Sequence, residues 1–206
     1  MIQIINTGVA NIRSLQAAFD RLAEPWQLTD DAQEIKSASH VVLPGVGAFA
    51  AAVESIDRLN LRETIVNRLR HPDSPTLCIC LGMQLLGESS DESQSARGLG
   101  IIPHQIKRFG NHLAVPQLGW NQVAPQSDGP YETGEAYFAN SFRLENPPEG
   151  WGFAQTNYGE NFVSSIWRGR TLACQFHPEL SGQWGQQVLR NWINGTWISN
   201  PVESEA

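Results

Sequence analysis

The chain has 206 residues, enough to bury a sizeable core in one domain, and its 41% apolar and 17% charged residues exclude a disordered polymer. Its longest apolar runs fall far short of a membrane span. A formal charge of −7 without a Lys/Arg cluster argues against nucleic acid or an anionic membrane as partner, and three cysteines are too few for a disulfide framework.

The first residues, M-I-Q-I-I-N-T-G, carry no basic flank and no cleavage-site pattern, so the expected location is cytoplasmic. Met1 to Ile5 is an apolar run, read as a strand and broken at Thr7-Gly8. From Asn11 the apolar residues Ile12, Leu15, Ala18, Phe19 and Leu22 recur at helical spacing up to Pro25. His40 to Leu43 is a second strand, stopped by Pro44-Gly45. Helical patterns follow from Ala48 to Leu59 and on to Arg70. Thr76 to Cys80 is a third strand, and Leu81 to Glu88 reads as a helix. Strands alternating with helices imply crossover connections and a mostly parallel sheet flanked by helices.

The pattern changes after Glu88. A polar loop, Asp91 to Gly100, leads to short strands at Ile101–Phe109, Trp120–Val123, Ala136–Phe142, Phe153–Tyr158, Phe162–Trp167 and Thr171–Phe176. This half is expected to be β-rich and antiparallel. A last helix is expected from Trp184 to Trp197, with Val188, Leu189, Trp192 and Ile193 on one face. With no internal repeat and no linker, residues 1–206 are expected to form one α/β domain.

Two of the three cysteines stand in T-L-C-I-C-L-G-M-Q, residues 76–84. Zinc pairs are usually spaced C-x2-4-C with a second pair or histidines elsewhere, and thioredoxin-like pairs are C-x-x-C, so neither fits. A third reading places Cys80 where a strand turns sharply into a helix, with Gly82 two residues on, as at a nucleophile elbow. Such a turn exposes the thiol at the carboxyl edge of the sheet, where a helix N-terminus favours thiolate and its N–H groups can hold an oxyanion. Cys78 then fills the small-residue position two before the nucleophile. From this pattern alone, Cys80 reads equally well as another buried strand cysteine.

A working thiol needs a base and a group to orient it. Among five histidines, His177 ends a strand in F-H-P-E, where Pro178 biases it towards extended geometry and Glu179 can hold its ring. A histidine after a strand is more often a satisfied surface residue, and the F-H-P-E context sets this one apart. The loop Leu43-Pro-Gly-Val-Gly47 could turn backbone N–H groups into the site, although alone it reads as an ordinary strand-to-helix turn. It lacks the G-K-[ST] of a phosphate-binding loop.

Together, P-G-V-G-A-F, C-L-G-M-Q and Q-F-H-P-E resemble the class I glutamine amidotransferases. The segments N-T-G-V-A-N-I-R-S-L, P-Q-L-G-W-N, Y-F-A-N-S-F, N-Y-G-E and H-P-E-L-S-G narrow the resemblance to the branch of glutaminase subunits that serves histidine biosynthesis. The resemblance implies that fold, with Cys80 attacking the side-chain amide of glutamine, His177 as base and acid, and Glu179 orienting it. It implies an oxyanion hole around Gly45, Val46 and Leu81, and glutamine binding by Gln84 and Glu92. It further implies a heterodimer in which ammonia passes to a (β/α)8 cyclase subunit. There it would meet a phosphoribosyl-formimino aminoimidazole ribonucleotide and yield imidazole glycerol phosphate and an aminoimidazole carboxamide ribonucleotide. No metal or organic cofactor is implied. Trp120, Asn121, Asn11 and Leu180 are expected at the docking face, though Trp120 reads equally as core. Four positions depart from the usual family pattern: Asn6 for Asp, Cys78 for Gly, Asn140 for His, and Leu180 for Lys or Arg.

Overall fold

The computed structural model describes residues 1–8, 12–93 and 95–197; Asn11 and residues 198–206 lie outside the described residues. The amino-terminal part runs β1 (Ile2–Ile5), α1 (Ile12–Arg21), β2 (Trp26–Thr29), α2 (Ala32–Ser37), β3 (His40–Gly45), α3 (Phe49–Arg58) and α4 (Arg62–Arg70), then β4 (Thr76–Cys80) and α5 (Leu81–Gln84). The remainder is mostly strand: β5 (Ser89–Ser90), β6 (Gln105–Arg108), β7 (Gln117–Pro125), β8 (Gly134–Asn140), β9 (Phe142–Arg143), β10 (Gly152–Asn157), β11 (Asn161–Arg168) and β12 (Thr171–Cys174). A 3-10 turn at Pro178–Leu180 leads to α6 (Gly182–Asn194).

Nine strands form one sheet in the order β2-β1-β3-β4-β12-β11-β10-β7-β8. The first five are parallel and the pairings from β12 to β8 are antiparallel. β1 and β4 are buried at every residue, as parallel strands covered on both faces must be. On one face α1 packs Leu15, Ala18 and Phe19, and α6 packs Val188, Leu189 and Trp192, each set at helical spacing. On the other face α3 contributes Phe49, Ala52, Val53 and Ile56, with Ile35 of α2 and Ile65 and Leu69 of α4. β5, β6 and β9 make a separate three-stranded sheet beside the site.

Three features differ from the expectation. β2 and α2 were not anticipated: β2 is a four-residue edge strand, half-exposed along most of its length, so it lacks the apolar run that marks its neighbours. α2 is one and a half turns long and is marked by Asp31, whose side chain accepts hydrogen bonds from Gln33 N (2.7 Å) and Glu34 N (3.0 Å). The strand read over Thr171–Phe176 does not stay in the antiparallel half. As β12 it pairs parallel with β4, Ala173 against Cys78, and antiparallel with β11, so it is the seam of the sheet. The helix expected to reach Glu88 stops at Gln84. Past Gln84 the bonds tighten, with Leu86 N donating to Met83 O (3.1 Å) and Gly87 N to Gln84 O (3.1 Å), and Glu88 N leaves the helix to donate to His104 O (2.9 Å).

Candidate active site

The elbow is visible in the backbone. Cys80 has φ 53° and ψ −107°, a left-handed conformation that costs a non-glycine residue roughly 1–3 kcal/mol and persists only where its surroundings enforce it. They do so here by crowding. A Cβ on Gly82 would lie 2.0 Å from Leu43 O, and one on Gly45 would lie 2.8 Å from the Leu81 Cβ. β3 and the first turn of α5 therefore touch backbone to backbone, with Gly45 in register beside Cys80. In a regular strand Cys78 and Cys80 would share one face. The twist at Cys80 separates them: Cys78 packs in the core beneath α3 and α4, and Cys80 in the cluster on the opposite side. All three cysteines are free and buried, and burial pushes the Cys78 thiol well above its usual range. Cys78 is thus a compact core residue.

His177 sits opposite the elbow. Its Nδ1 lies 2.8 Å from Glu179 Oε1, and both side chains are buried. Its backbone is gripped at both ends. His177 N donates to Tyr137 O (2.9 Å), while the Ser181 hydroxyl donates to His177 O (2.6 Å) and accepts from Tyr137 N (2.9 Å). Burial by itself would lower the His177 pKa, but hydrogen bonds to the Cys80 and Glu179 side chains outweigh it and raise the value to about 10. Both neighbours thus favour the protonated form of the ring.

Cys80 and His177 open onto a cavity of about 250 Å³, also lined by Val46, Gly47, Leu81, Gln84, Glu92 and residues 139–142. Of the residues singled out in the sequence, Cys80, His177, Val46, Leu81, Gln84 and Glu92 are gathered here. Gly45 and Glu179 lie behind Val46 and His177, around a much smaller cavity. Glu92 does more than line the wall: its Oε2 accepts from Phe49 N (2.9 Å) and so caps α3, which has no capping side chain of its own. Gln84 Nε2 donates to Gln175 Oε1 (3.0 Å) and to Phe142 O (3.4 Å). Gln175 itself received no role in the sequence reading. The available signal was alternation, since residues two apart on an extended segment share a side, which pairs Gln175 with His177.

Trp120, read equally as core or surface, is 57% exposed, and Leu180 and Val46 are each 38% exposed. Trp120 meets Tyr137 edge-on at 6.4 Å between ring centroids. Among the described residues, no helix is long and apolar enough to cross a membrane.

A family model described as "Glutamine amidotransferase class-I" matches residues 4–195. Solved structures agree on the fold. A crystal structure titled as a glutamine amidotransferase superposes with a TM-score of 0.75 at 15% identity, covering 94% of this chain and 97% of that one. A glutamine amidotransferase from Thermotoga maritima gives 0.62 at 17% identity, covering 94% and 80%. The elbow, the fold and the family match define the class as class I glutamine amidotransferase, an enzyme class.

Relatives narrow this further. The imidazole glycerol phosphate synthase subunit HisH of Oceanobacillus iheyensis is 38% identical over 93% of this chain and 98% of its own length. The HisH subunit of Archaeoglobus fulgidus is 39% identical over 94% and 98%. The chloroplastic synthase hisHF of Arabidopsis thaliana is 37% identical over all of this chain but 36% of its own length. The chain belongs to the HisH family of glutamine amidotransferases.

Proposed function

We propose that residues 1–206 act as one glutaminase domain, the subunit that supplies ammonia within an imidazole glycerol phosphate synthase. The observation that carries this reading is the buried His177–Glu179 pair, 2.8 Å apart, with His177 facing the same small cavity as a thiol held at a strained elbow. The Cys80 thiolate attacks the side-chain carbonyl carbon of glutamine, forming a C–S bond. Negative charge moves to the oxygen, which backbone N–H groups around Gly45, Val46 and Leu81 receive. The imidazolium of His177 gives its proton to the departing nitrogen as the C–N bond breaks, so ammonia leaves and a γ-glutamyl thioester remains. Water then attacks the thioester while neutral His177 takes its proton. The C–S bond breaks, glutamate leaves and the thiolate returns. Glu179 keeps the ring in the required tautomer throughout. Gln84 and Glu92 hold the substrate, the Glu92 carboxylate matching an α-ammonium group. The chemistry draws on no metal or organic cofactor.

Ammonia released into water is protonated and loses its nucleophilicity, so a partner must receive it directly. In this reading the partner is a cyclase subunit forming a heterodimer with this chain. It uses the ammonia to make imidazole glycerol phosphate and an aminoimidazole carboxamide ribonucleotide. The exposed residues Trp120 and Leu180, with Asn121 beside them, form the docking face, since exposed aromatics are effective interface anchors. That the Arabidopsis relative is a longer chain, of which this one spans 36%, supports a working unit larger than the glutaminase.

The test is glutamate release from glutamine by the pure chain, with and without a cyclase subunit loaded with its nucleotide ligand. Little release alone and a large rise in the complex is the expected result. Cys80→Ser should lower release in the complex by about 10⁴-fold or more. High release unchanged by the cyclase would overturn the assignment to a synthase, and retained release in Cys80→Ser would overturn the nucleophile.

A further inference from the structure

Behind the cavity, a chain of polar side chains joins its wall to the thiol. Phe142 O accepts from Asn140 Nδ2 (2.9 Å) and from Gln84 Nε2 (3.4 Å). Gln84 Nε2 also donates to Gln175 Oε1 (3.0 Å), and Gln175 Nε2 reaches Cys80 Sγ at 3.6 Å. Side-chain amides can be turned either way, but a backbone carbonyl can only accept. With Phe142 O at one end, Gln84 must present its NH2 group, Gln175 must meet that group with its oxygen, and the Gln175 NH2 must face the sulfur. The direction of the whole relay follows from its fixed end. Gln175 is 1% exposed and its backbone N donates to Ser164 O (2.9 Å), so water does not compete and the side chain has a firm base.

We propose that Gln175 is a positioning residue for the thiol reaction: it aims an N–H at the Cys80 sulfur, fixing its rotamer and favouring its ionised form. A donor aimed at an acceptor-only thiolate stabilises it, and the same donor gains little from a neutral thiol. The relay also ties the cavity wall at Phe142 and Gln84 to the sulfur, so that the wall and the attacking atom are positioned together. The inference rests on the reading of Cys80 as the nucleophile.

The experiment compares wild type with Gln175→Met, which keeps the length of the side chain and removes the donor. Alkylation of Cys80 by iodoacetamide is followed across pH by peptide mass spectrometry, and kcat and KM for glutamine are measured in the synthase complex. The expected result is an upward shift of the alkylation midpoint by about one pH unit and a fall in kcat of about tenfold, with KM little changed. A role in packing alone would not move the midpoint. A folded Gln175→Met protein with the wild-type midpoint and kcat would overturn the proposal. Should Gln175→Met not fold, Gln175→Leu is read in the same way, because it too removes the donor and adds no charge beside the sulfur. Glutamate release by Cys80→Ser would overturn the nucleophile reading instead, and the two failures are separable: the alkylation midpoint reports the contact between Gln175 and sulfur whatever reaction the thiol performs.

Discussion

Two glycine-bearing turns meet at the carboxyl edge of the sheet, and they are held in different ways. The elbow after β4 is locked by its own backbone, because Gly82 lies so close to Leu43 O that no side chain fits between them. The turn after β3 is open. Val46 is 38% exposed, Gly47 has φ 95°, and a Cβ placed on Gly47 would meet nothing within 4 Å. The helix that follows is tied across the cavity by the Glu92 carboxylate. Packing thus places the Cys80 backbone, whereas the proposed oxyanion donors depend on a hydrogen bond from a residue that also lines the cavity.

The strongest way to break this comparison is a matched pair of substitutions. Gly82→Ala should cost about 3 kcal/mol or more, because backbone must move to admit the methyl group. Gly47→Ala should cost only the strain of a left-handed residue, about 1 kcal/mol. Urea midpoints of the two proteins check this, and equal losses would show that the turns are equally constrained.

The elbow side also carries a charge signature. Although burial opposes it, contact with Cys80 and Glu179 raises His177 from its ordinary 6.5 to about 10, so the protonated ring favours the folded state. That stability is fully present below about pH 6.5 and is lost as pH rises through about 10. Urea unfolding across this window should show the decline, and Glu179→Gln should make it shallower by removing one of the raising partners. A decline unaltered in Glu179→Gln would assign it to other groups.

On the open side, Glu92→Ala should remove the cap of α3 at about 1 kcal/mol and raise KM for glutamine by about tenfold, where Gly47→Ala lowers stability without loss of that cap. Steady-state kinetics beside thermal melting separates the two contributions. The smallest effect is expected at Cys78→Ala: a loss of about 1 kcal/mol from a buried position, with glutamate release in the complex unchanged. A large loss of release would mean that the elbow depends on the strand residue beneath it.

Much of this site was legible along the chain because its constraints are local. Gly82 and the strand before Cys80 announce a tight turn, and Pro178 with Glu179 announces a held histidine. β1, β3 and β4 were read from short, mostly apolar runs of the kind that a strand covered on both faces requires. Where the constraint was not local, the reading failed. β2 is too short and too exposed to stand out. The end of α5 was hidden because Glu88 N leaves the helix for His104 O, a partner distant in sequence.

The sequence by itself determined which residues can do chemistry and where the backbone must bend, because thiol, imidazole, carboxylate and glycine each carry that information within a few positions. Only the tertiary structure decided which of them meet. It put β12 beside β4, and so brought Gln175 to a sulfur 95 residues away in the chain. It also turned Cys80 away from Cys78, although strand alternation alone would have kept them on one face. Bends and side-chain chemistry are set by neighbours in sequence, whereas strand order and side-chain partnership are set by which surfaces can be buried together.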